Sequence, residues 1–111
     1  MKRERRRTTA EILGDALYHL RLVSRYATRD LDDQVTIDAI CMRLSAAIET
    51  LERLEPDSRR ALFGSDWSAK WGMRNRIAHG YMLVNGDVIR ATVREDVPVL
   101  IGSIEAHLRS A

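Results

Sequence analysis

The chain has 111 residues, of which 45% are hydrophobic and 31% charged, with a formal net charge of +2 and a pI of about 9.0. This length suits one domain with one hydrophobic core, and the balance of apolar and charged residues excludes an intrinsically disordered chain. A mildly basic protein is compatible with a nucleic-acid partner without requiring one, and an aromatic content of 5% argues against a surface that stacks several bases.

The single cysteine, Cys41, lies within an apolar run, and we interpret it as a small buried hydrophobic residue. One cysteine can form neither an internal disulfide nor a cysteine-rich zinc site. The three histidines, His19, His79 and His107, lack metal-ligand spacing, so we expect no metal and no cofactor. No apolar run approaches the roughly 18 residues that span a membrane, and no signal core follows the basic start. We therefore expect a cytoplasmic protein with no membrane partner.

We predict a single domain over residues 1–111, in which residues 1–7 form a basic N-terminal arm. Two interpretations of this arm remain open: a solvated terminus, or an arm that contacts RNA phosphates. Thr8 or Thr9 then caps a first helix, with Glu11 in its first turn. Its apolar residues recur at helical spacing and predict a helix that packs along its length: Ile12, Leu13, Ala16, Leu17, Leu20, Val23 and Ala27. We interpret Tyr18 and His19 in this helix as ordinary helix residues.

A polar connection over residues 28–34 offers Asp32 or Asp33 as the cap of a second helix. That helix has the longest periodic pattern in the chain, wide enough to serve both the core and a partner subunit: Val35, Ile37, Ile40, Cys41, Leu44, Ala47, Ile48, Leu51 and Leu54. Glu49 lies beside this stripe. It is either a solvent-facing acid or a polar group that orients an arginine of an active site.

Further elements are predicted after the second helix. Pro56 ends the second helix, and residues 58–63 form a short helical turn before Gly64. Asp66 lies within a new cap that opens the third long helix, which runs into residues 71–81. After a turn signal at residues 85–87, a short strand is conceivable, but no second strand exists to pair with it.

We therefore predict that a helix capped by Asp87, and not a strand, follows the turn at residues 85–87. A last helix opens at Asp96-Val97-Pro98, with proline in its first turn. Its buried face consists of Val97, Leu100, Ile101, Ile104 and Leu108. The fold class is accordingly all-α.

One stretch holds an unusual concentration of polar side chains, namely Arg74, Asn75, Arg76, His79 and Tyr81 within eight positions. Arginine presents a fork of donors that matches phosphate oxygens, and histidine transfers protons near neutral pH. Such groups can cleave RNA without a metal, with histidine as acid or base and arginine stabilising charge on the phosphoryl group. The competing interpretation is a hydrogen-bond network that ties helices together.

Helical geometry complicates the catalytic interpretation. Each residue advances about 100° around an ideal helix, so Arg74 and His79 lie about 140° apart. Gly80 predicts a helix end or distortion just after His79, which could re-aim the imidazole. Cleavage requires two proton transfers, but each chain supplies only one histidine in this stretch. A symmetric dimer would bring two copies of His79 together.

The segment from Arg74 to Tyr81 resembles the signature of the HEPN superfamily, R-x-x-x-x-H-x-Y, with asparagine commonly following the arginine. The closer resemblance is to the HepT-like toxins of prokaryotes. It includes Asp66-Trp67, Gly72-Met73, Asp87-Val88-Ile89 and residues 96–100, and it is looser over the first two helices. Where the family often has Gly-Glu-Ala in the second helix, this chain has Ile48-Glu49-Thr50.

This resemblance implies an antiparallel HEPN-type bundle of four to five helices that is dimeric, with the signature in a cleft at the dimer interface. It implies a metal-independent endoribonuclease that acts as a toxin, with Arg74 and His79 as catalytic residues. The implied partner is a small nucleotidyltransferase antitoxin of the MntA type, which uses ATP to place AMP groups on Tyr81. The added bulk and negative charge would fill the cleft and repel an RNA backbone.

The remaining candidates have supporting roles. We interpret Asn75 as a group that positions the site or binds phosphate, and Arg76 as either an auxiliary phosphate contact or a surface charge. Tyr81 has a second interpretation as an RNA-contacting or packing residue. A different function class also remains open: a non-catalytic HEPN module that docks onto a nucleotidyltransferase and regulates it.

Overall fold

The computed structural model describes residues 7–79 and 86–110. The helices in these ranges are α1 (Thr9–Tyr26), α2 (Gln34–Leu51), α3 (Pro56–Phe63), α4 (Trp67–His79), α5 (Gly86–Ala91) and α6 (Val97–Ser110), and a π-helical turn, Thr92–Asp96, joins α5 to α6. The described ranges contain no strand, so the predicted all-α class is confirmed. α5, the π turn and α6 follow one another without a break, so we count them as one helical segment. The described ranges then hold five helical segments, which agrees with the predicted four to five.

The caps of the two long helices agree with the sequence patterns. Thr8 caps α1 in a reciprocal arrangement, in which its hydroxyl accepts from the Glu11 amide at 3.1 Å and its own amide donates to the Glu11 carboxylate at 3.2 Å. Asp33 caps α2, where its carboxylate accepts from the Val35 amide. Both caps satisfy amide groups that the first turn of a helix leaves without a partner.

A continuous apolar core forms between α1, α2, α4 and the segment from α5 to α6. The helices α1 and α2 are joined by the short segment 27–33, run antiparallel and pack against each other along their length. On the other sides, α4 packs on α2 and α6 packs on α1. The side chains of α2 therefore face two neighbours, and ten of its 18 residues are buried.

The helix after Pro56 begins earlier than the sequence pattern indicated. α2 ends at Leu51, and α3 begins at Pro56 itself, where the missing amide hydrogen costs no helical hydrogen bond. α3 ends at Phe63, and the next residue, Gly64, has a φ of 96°, in the left-handed region that glycine adopts without strain. Leu62 and Phe63 pack partly buried on the core, so α3 shields the start of α4.

The prediction that Asp87 caps the following helix is wrong, because α5 already includes Gly86 and Asp87 lies in its first turn. An acidic residue there still interacts favourably with the helix dipole. Its carboxylate also accepts a hydrogen bond from Arg90 at 2.5 Å, one turn further along the same helix.

The last helix begins at Val97, close to its predicted start, but it continues the preceding helix through the π turn. Pro98 has no amide hydrogen, and in a regular helix its ring would crowd the carbonyl of residue 94. In the wider turn the Val97 amide donates instead to the carbonyl of Thr92, five residues before it. The π turn thus lets the chain accommodate a proline without ending the helix.

No helix within residues 7–79 and 86–110 is long and apolar enough to cross a membrane. Residues 1–6 of the predicted N-terminal arm lie outside the described residues. Arg7, the last residue of that arm, forms an ion pair with Asp15 of α1 at 2.5 Å.

Cys41 is fully buried, as expected, and we predict that it reacts slowly with thiol reagents in the native protein. Burial, and then the nearby charge of Asp38, raises its pKa to about 11. At pH 8 iodoacetamide should label it at least about a hundredfold more slowly than a cysteine in a short peptide, because only the thiolate reacts. Mass spectrometry measures the rate. Labelling in 8 M urea provides the control, and a peptide-like rate in the native state would contradict this burial.

Candidate active site

Aromatic contacts anchor the first half of α4, which carries the candidate residues in its second half. Trp67 and Trp71 are four residues apart, both are buried, and their rings stack with centroids 5.8 Å apart. Phe63 of α3 lies 5.0 Å from Trp67, between ring centroids. This aromatic row fixes the rotation of α4 about its axis and thereby fixes the directions in which the following residues leave it.

Asn75 connects α4 to α2 through a hydrogen bond. The hydroxyl of Ser45, which is 7% exposed, donates to Asn75 Oδ1 at 3.0 Å. The side-chain nitrogen of Asn75, which is bonded to the same carbon as Oδ1, carries two donor hydrogens. Asn75 can therefore brace α4 against α2 and still donate to a phosphate, which combines the two roles considered for it.

Arg74 is held by a carboxylate that the sequence analysis did not select. Its Nη2 lies 3.3 Å from Asp96 Oδ2, and the side chains of Arg74 and Asp96 are only 23% and 16% exposed. The other carboxylate oxygen, Asp96 Oδ1, lies 3.2 Å from Lys70 Nζ. Lys70 and Arg74 are four residues apart on α4, so one carboxylate of the π turn binds two cations on the same side of that helix.

Two further candidates lie on exposed surface. Arg76 is exposed on α4, and Glu49 is exposed on α2, one turn after Ser45. The position of Arg76 is compatible with both interpretations of its role. For Glu49, the function of orienting an arginine remains a prediction.

The second half of the signature is described only in part. α4 is helical through His79, so the backbone positions of Arg74 and His79 lie about 140° apart around its axis. The side chain of His79, the predicted distortion at Gly80 and the whole of Tyr81 lie outside the described residues. Their expected roles therefore remain predictions.

A second group of polar side chains lies on α1 and α2. Arg43 Nη1 lies 3.2 Å from His19 Nδ1, and its guanidinium carbon is 5.9 Å from the centroid of the Tyr18 ring. Burial, and then the charge of Arg43, lowers the pKa of His19, while Asp15 acts in the opposite direction. A neutral imidazole that accepts from an arginine is a structural contact between two helices, which agrees with the interpretation of Tyr18 and His19 from the sequence.

The cavities do not by themselves select the site. A large open cleft of about 630 Å³ lies beside the connection between α1 and α2, and Arg29, Arg90 and Arg94 are among its lining residues. A smaller cavity of about 170 Å³, between α3, α4 and α6, includes Lys70 and Asp96 in its wall. We assign the site to the second region because it adjoins the cluster that holds Arg74, one of the candidate residues of the sequence analysis.

Sequence reasoning missed three of the residues that hold this site: Ser45, Lys70 and Asp96. Lys70 precedes Arg74 by one helical turn, so helical spacing alone could have associated the two. Asp96 lies 22 residues beyond Arg74 in the sequence, and Ser45 lies 30 residues before Asn75. No local pattern links residues at such separations.

Comparison with known proteins identifies the family. The family model described as Ribonuclease HepT-like matches residues 13–106 of the 111-residue chain. No curated protein and no solved structure gives a significant match. The match extends from the first turns of α1 almost to the end of α6, and it includes Arg74, Asn75, His79 and Asp96. The chain therefore belongs to the HepT-like ribonuclease family.

Proposed function

We propose that this protein is a metal-independent endoribonuclease that acts as the toxin of a prokaryotic toxin–antitoxin pair. The observation that carries the proposal is the setting of Arg74, a partly buried arginine held by a carboxylate within a chain of the HepT-like ribonuclease family. An arginine that serves only to connect helices would not need an adjacent histidine signature. Arg74 and His79 together supply the charge and the proton transfer that cleavage of RNA requires.

In the proposed reaction the ribose 2′-hydroxyl attacks the adjacent phosphorus, and the bond from phosphorus to the 5′-oxygen breaks. A base removes the 2′-hydroxyl proton, and an acid protonates the departing 5′-oxygen, which leaves a 2′,3′-cyclic phosphate and a 5′-hydroxyl. His79 performs one of these proton transfers. Arg74 stabilises the negative charge on the nonbridging oxygens, and the Asn75 amide nitrogen or Arg76 donates further hydrogen bonds to the phosphate.

The second proton transfer is assigned to His79 of a second copy in a symmetric dimer. The described surface supports such an interface, because Val35 and Met42 are 73% and 71% exposed. They lie seven residues apart on α2 and so share one side of it, and Glu49 follows after another seven. Large apolar residues exposed in one line along a helix are typical of a surface that another protein covers.

The toxin activity is proposed to be controlled at Tyr81 by a nucleotidyltransferase antitoxin that transfers AMP from ATP. The phenol oxygen would attack the α-phosphorus of ATP and release pyrophosphate, forming a phosphodiester. Because Tyr81 follows His79 by two residues in the sequence, the modification places a negative charge close to the site along the chain. Repulsion of the RNA backbone would follow from that charge.

Cleavage of a short RNA by the purified protein in EDTA provides the central test. We expect His79→Ala to lower kcat about 10²–10⁴-fold, because a positioned proton-transfer group is lost. Arg74→Ala should lower kcat about 10²–10³-fold through the loss of charge stabilisation. His107→Ala, near the end of α6, is the matched control and should retain wild-type activity. Gel analysis with a 5′-labelled RNA measures both the rate and the cyclic phosphate product.

Two results would contradict the proposal. One is the absence of metal-free cleavage at every pH between about 5 and 9. The other is equal growth arrest on expression of the wild type and of His79→Ala, which would favour the alternative function of a non-catalytic module that regulates a nucleotidyltransferase.

The dimer is tested by light scattering at micromolar concentration. We expect the wild type to be a dimer and Met42→Glu to be largely monomeric, because a charge would be buried in the interface. Met42→Leu keeps an apolar side chain at the same place and should remain dimeric. The monomeric variant should also lose cleavage. A monomeric wild type that still cleaves RNA would remove the argument for two histidines.

Modification of Tyr81 is tested by intact mass spectrometry after incubation with ATP and the cognate nucleotidyltransferase. We expect a mass increase in AMP units together with loss of RNA cleavage, since the added phosphodiester repels the substrate. Tyr81→Phe should show no increase, and Tyr18→Phe is the control with an exposed tyrosine on α1. An unchanged mass increase in Tyr81→Phe would refute the assignment of this residue.

A further inference from the structure

The strongest unassigned feature lies at the contact between α4 and the π turn. Asp96 places one carboxylate oxygen 3.3 Å from Arg74 Nη2 and the other 3.2 Å from Lys70 Nζ. Its side chain is 16% exposed, so water screens these contacts less than it screens an ion pair on the open surface. A single carboxylate between two cations leaves this group of three side chains with a net positive charge.

The π turn determines where Asp96 lies. Ile89, Val93 and Val97 are all buried and succeed one another at intervals of four residues. In a regular α-helix each such interval would rotate the next side chain by about 40° away from the core. A wider turn compensates for this rotation, so Val97 stays in the core and Asp96, immediately before it, is presented to α4.

Thr92 secures the start of the turn from within. Its side chain is fully buried, and its hydroxyl donates to the carbonyl of Val88 at 2.8 Å. The polar group is thereby satisfied at the point where the regular hydrogen-bond pattern changes. The position of Asp96 is consequently fixed on both sides, by Thr92 before it and by Val97 after it.

The hydrogen bond reaches Arg74 through one terminal nitrogen only. Arg74 Nε is buried and has no hydrogen-bond partner among the described residues, so that end of the guanidinium faces the protein. With Nη2 engaged by Asp96, Nη1 is a terminal nitrogen for which the described residues show no hydrogen-bond partner, so it can donate to a phosphate oxygen. The contact fixes the direction of the guanidinium without occupying all of its donors.

We propose that Asp96 is the positioning residue of Arg74, and that its carboxylate presents the Arg74 guanidinium to the scissile RNA phosphate. This inference rests on the proposed ribonuclease function. Asp96 acts through Arg74 and transfers no proton itself. Substitution of Asp96 therefore lowers kcat more than it weakens RNA binding, because other cationic side chains still attract the RNA.

The test compares Asp96→Asn, which keeps the shape but removes the charge, with Asp96→Glu, which keeps the charge. We expect Asp96→Asn to lower kcat about 10- to 100-fold, with KM changed by less than about threefold. The reason is that a misdirected Arg74 guanidinium stabilises the transition state less. Asp96→Glu should lie closer to the wild type. Glu105→Gln is the matched control, since it removes a carboxylate of α6 that pairs with Arg21 at 3.0 Å; it should leave the kinetics unchanged.

A second measurement does not depend on cleavage. The Arg74 Nε–H signal in a ¹H–¹⁵N spectrum is assigned by its loss in Arg74→Lys. In Asp96→Asn it should move to the averaged position of exposed arginines, while in Glu105→Gln it should not move. Circular dichroism confirms that each variant is folded. An unmoved Arg74 signal in folded Asp96→Asn would overturn the proposal, as would wild-type kinetics in that variant.

Failure of the ribonuclease function can be distinguished from failure of this inference. If the wild type cleaves no RNA, its affinity for a 2′-O-methyl RNA, which cannot be cleaved, is measured by fluorescence anisotropy. Weaker binding in Arg74→Ala then shows that Arg74 contacts phosphate, and a displaced Arg74 signal in folded Asp96→Asn supports the positioning role, although the proposed function has failed. Unchanged binding in Arg74→Ala, or an unmoved signal in Asp96→Asn, overturns the inference as well.

Discussion

The structure depends on how α4 is held, because this helix carries the candidate site and few of its described side chains are apolar and buried. Of its described side chains, those of Trp67 and Trp71 are the buried apolar ones, and both lie in its first half. Beyond them α4 is attached through polar contacts, from Asn75 to Ser45 of α2 and from Arg74 to Asp96 of the π turn. Polar contacts fix direction more strictly than apolar contacts, since hydrogen bonds weaken steeply when misaligned. The attachment that holds the helix also orients its functional groups.

Two distant parts of the chain share this task. α2 packs against both α1 and α4, and Ser45 lies on its buried side, so the hydroxyl has a firm support. The segment from α5 to α6 provides Asp96 from a turn whose neighbours, Thr92 and Val97, are fully buried. The candidate site therefore lies where two separately packed parts of the bundle meet on α4, and neither part alone could orient both Arg74 and Asn75.

Local patterns in the sequence determine much of this fold and less of its site. Helical periodicity located the long helices, and the caps at Thr8 and Asp33 followed from residue type and spacing, because both act within one helical turn. The signature from Arg74 to Tyr81 identified the family, since it is itself local. The pairing of Arg74 with Asp96 could not be predicted in this way, because it depends on how α4 lies against the π turn. The π turn was equally hidden, since Asp96-Val97-Pro98 is a pattern typical of a helix start, and only the packing of Ile89, Val93 and Val97 shows that the helix continues through it.

A carboxylate beside a phosphate-binding arginine has opposing effects, and the geometry decides which is larger. Asp96 competes with phosphate for the guanidinium, and its negative charge weakens the attraction for RNA. It also immobilises a side chain whose ordering otherwise costs about 1.5–2 kcal/mol, so less ordering remains when the substrate binds. Because Asp96 engages Nη2 and leaves Nη1, the competition concerns only part of the fork, and Lys70 offsets part of the negative charge. The arrangement thus weakens the general attraction for RNA but holds the Arg74 guanidinium in a fixed direction towards one phosphate. This is expected of a group whose interaction is strongest in the transition state.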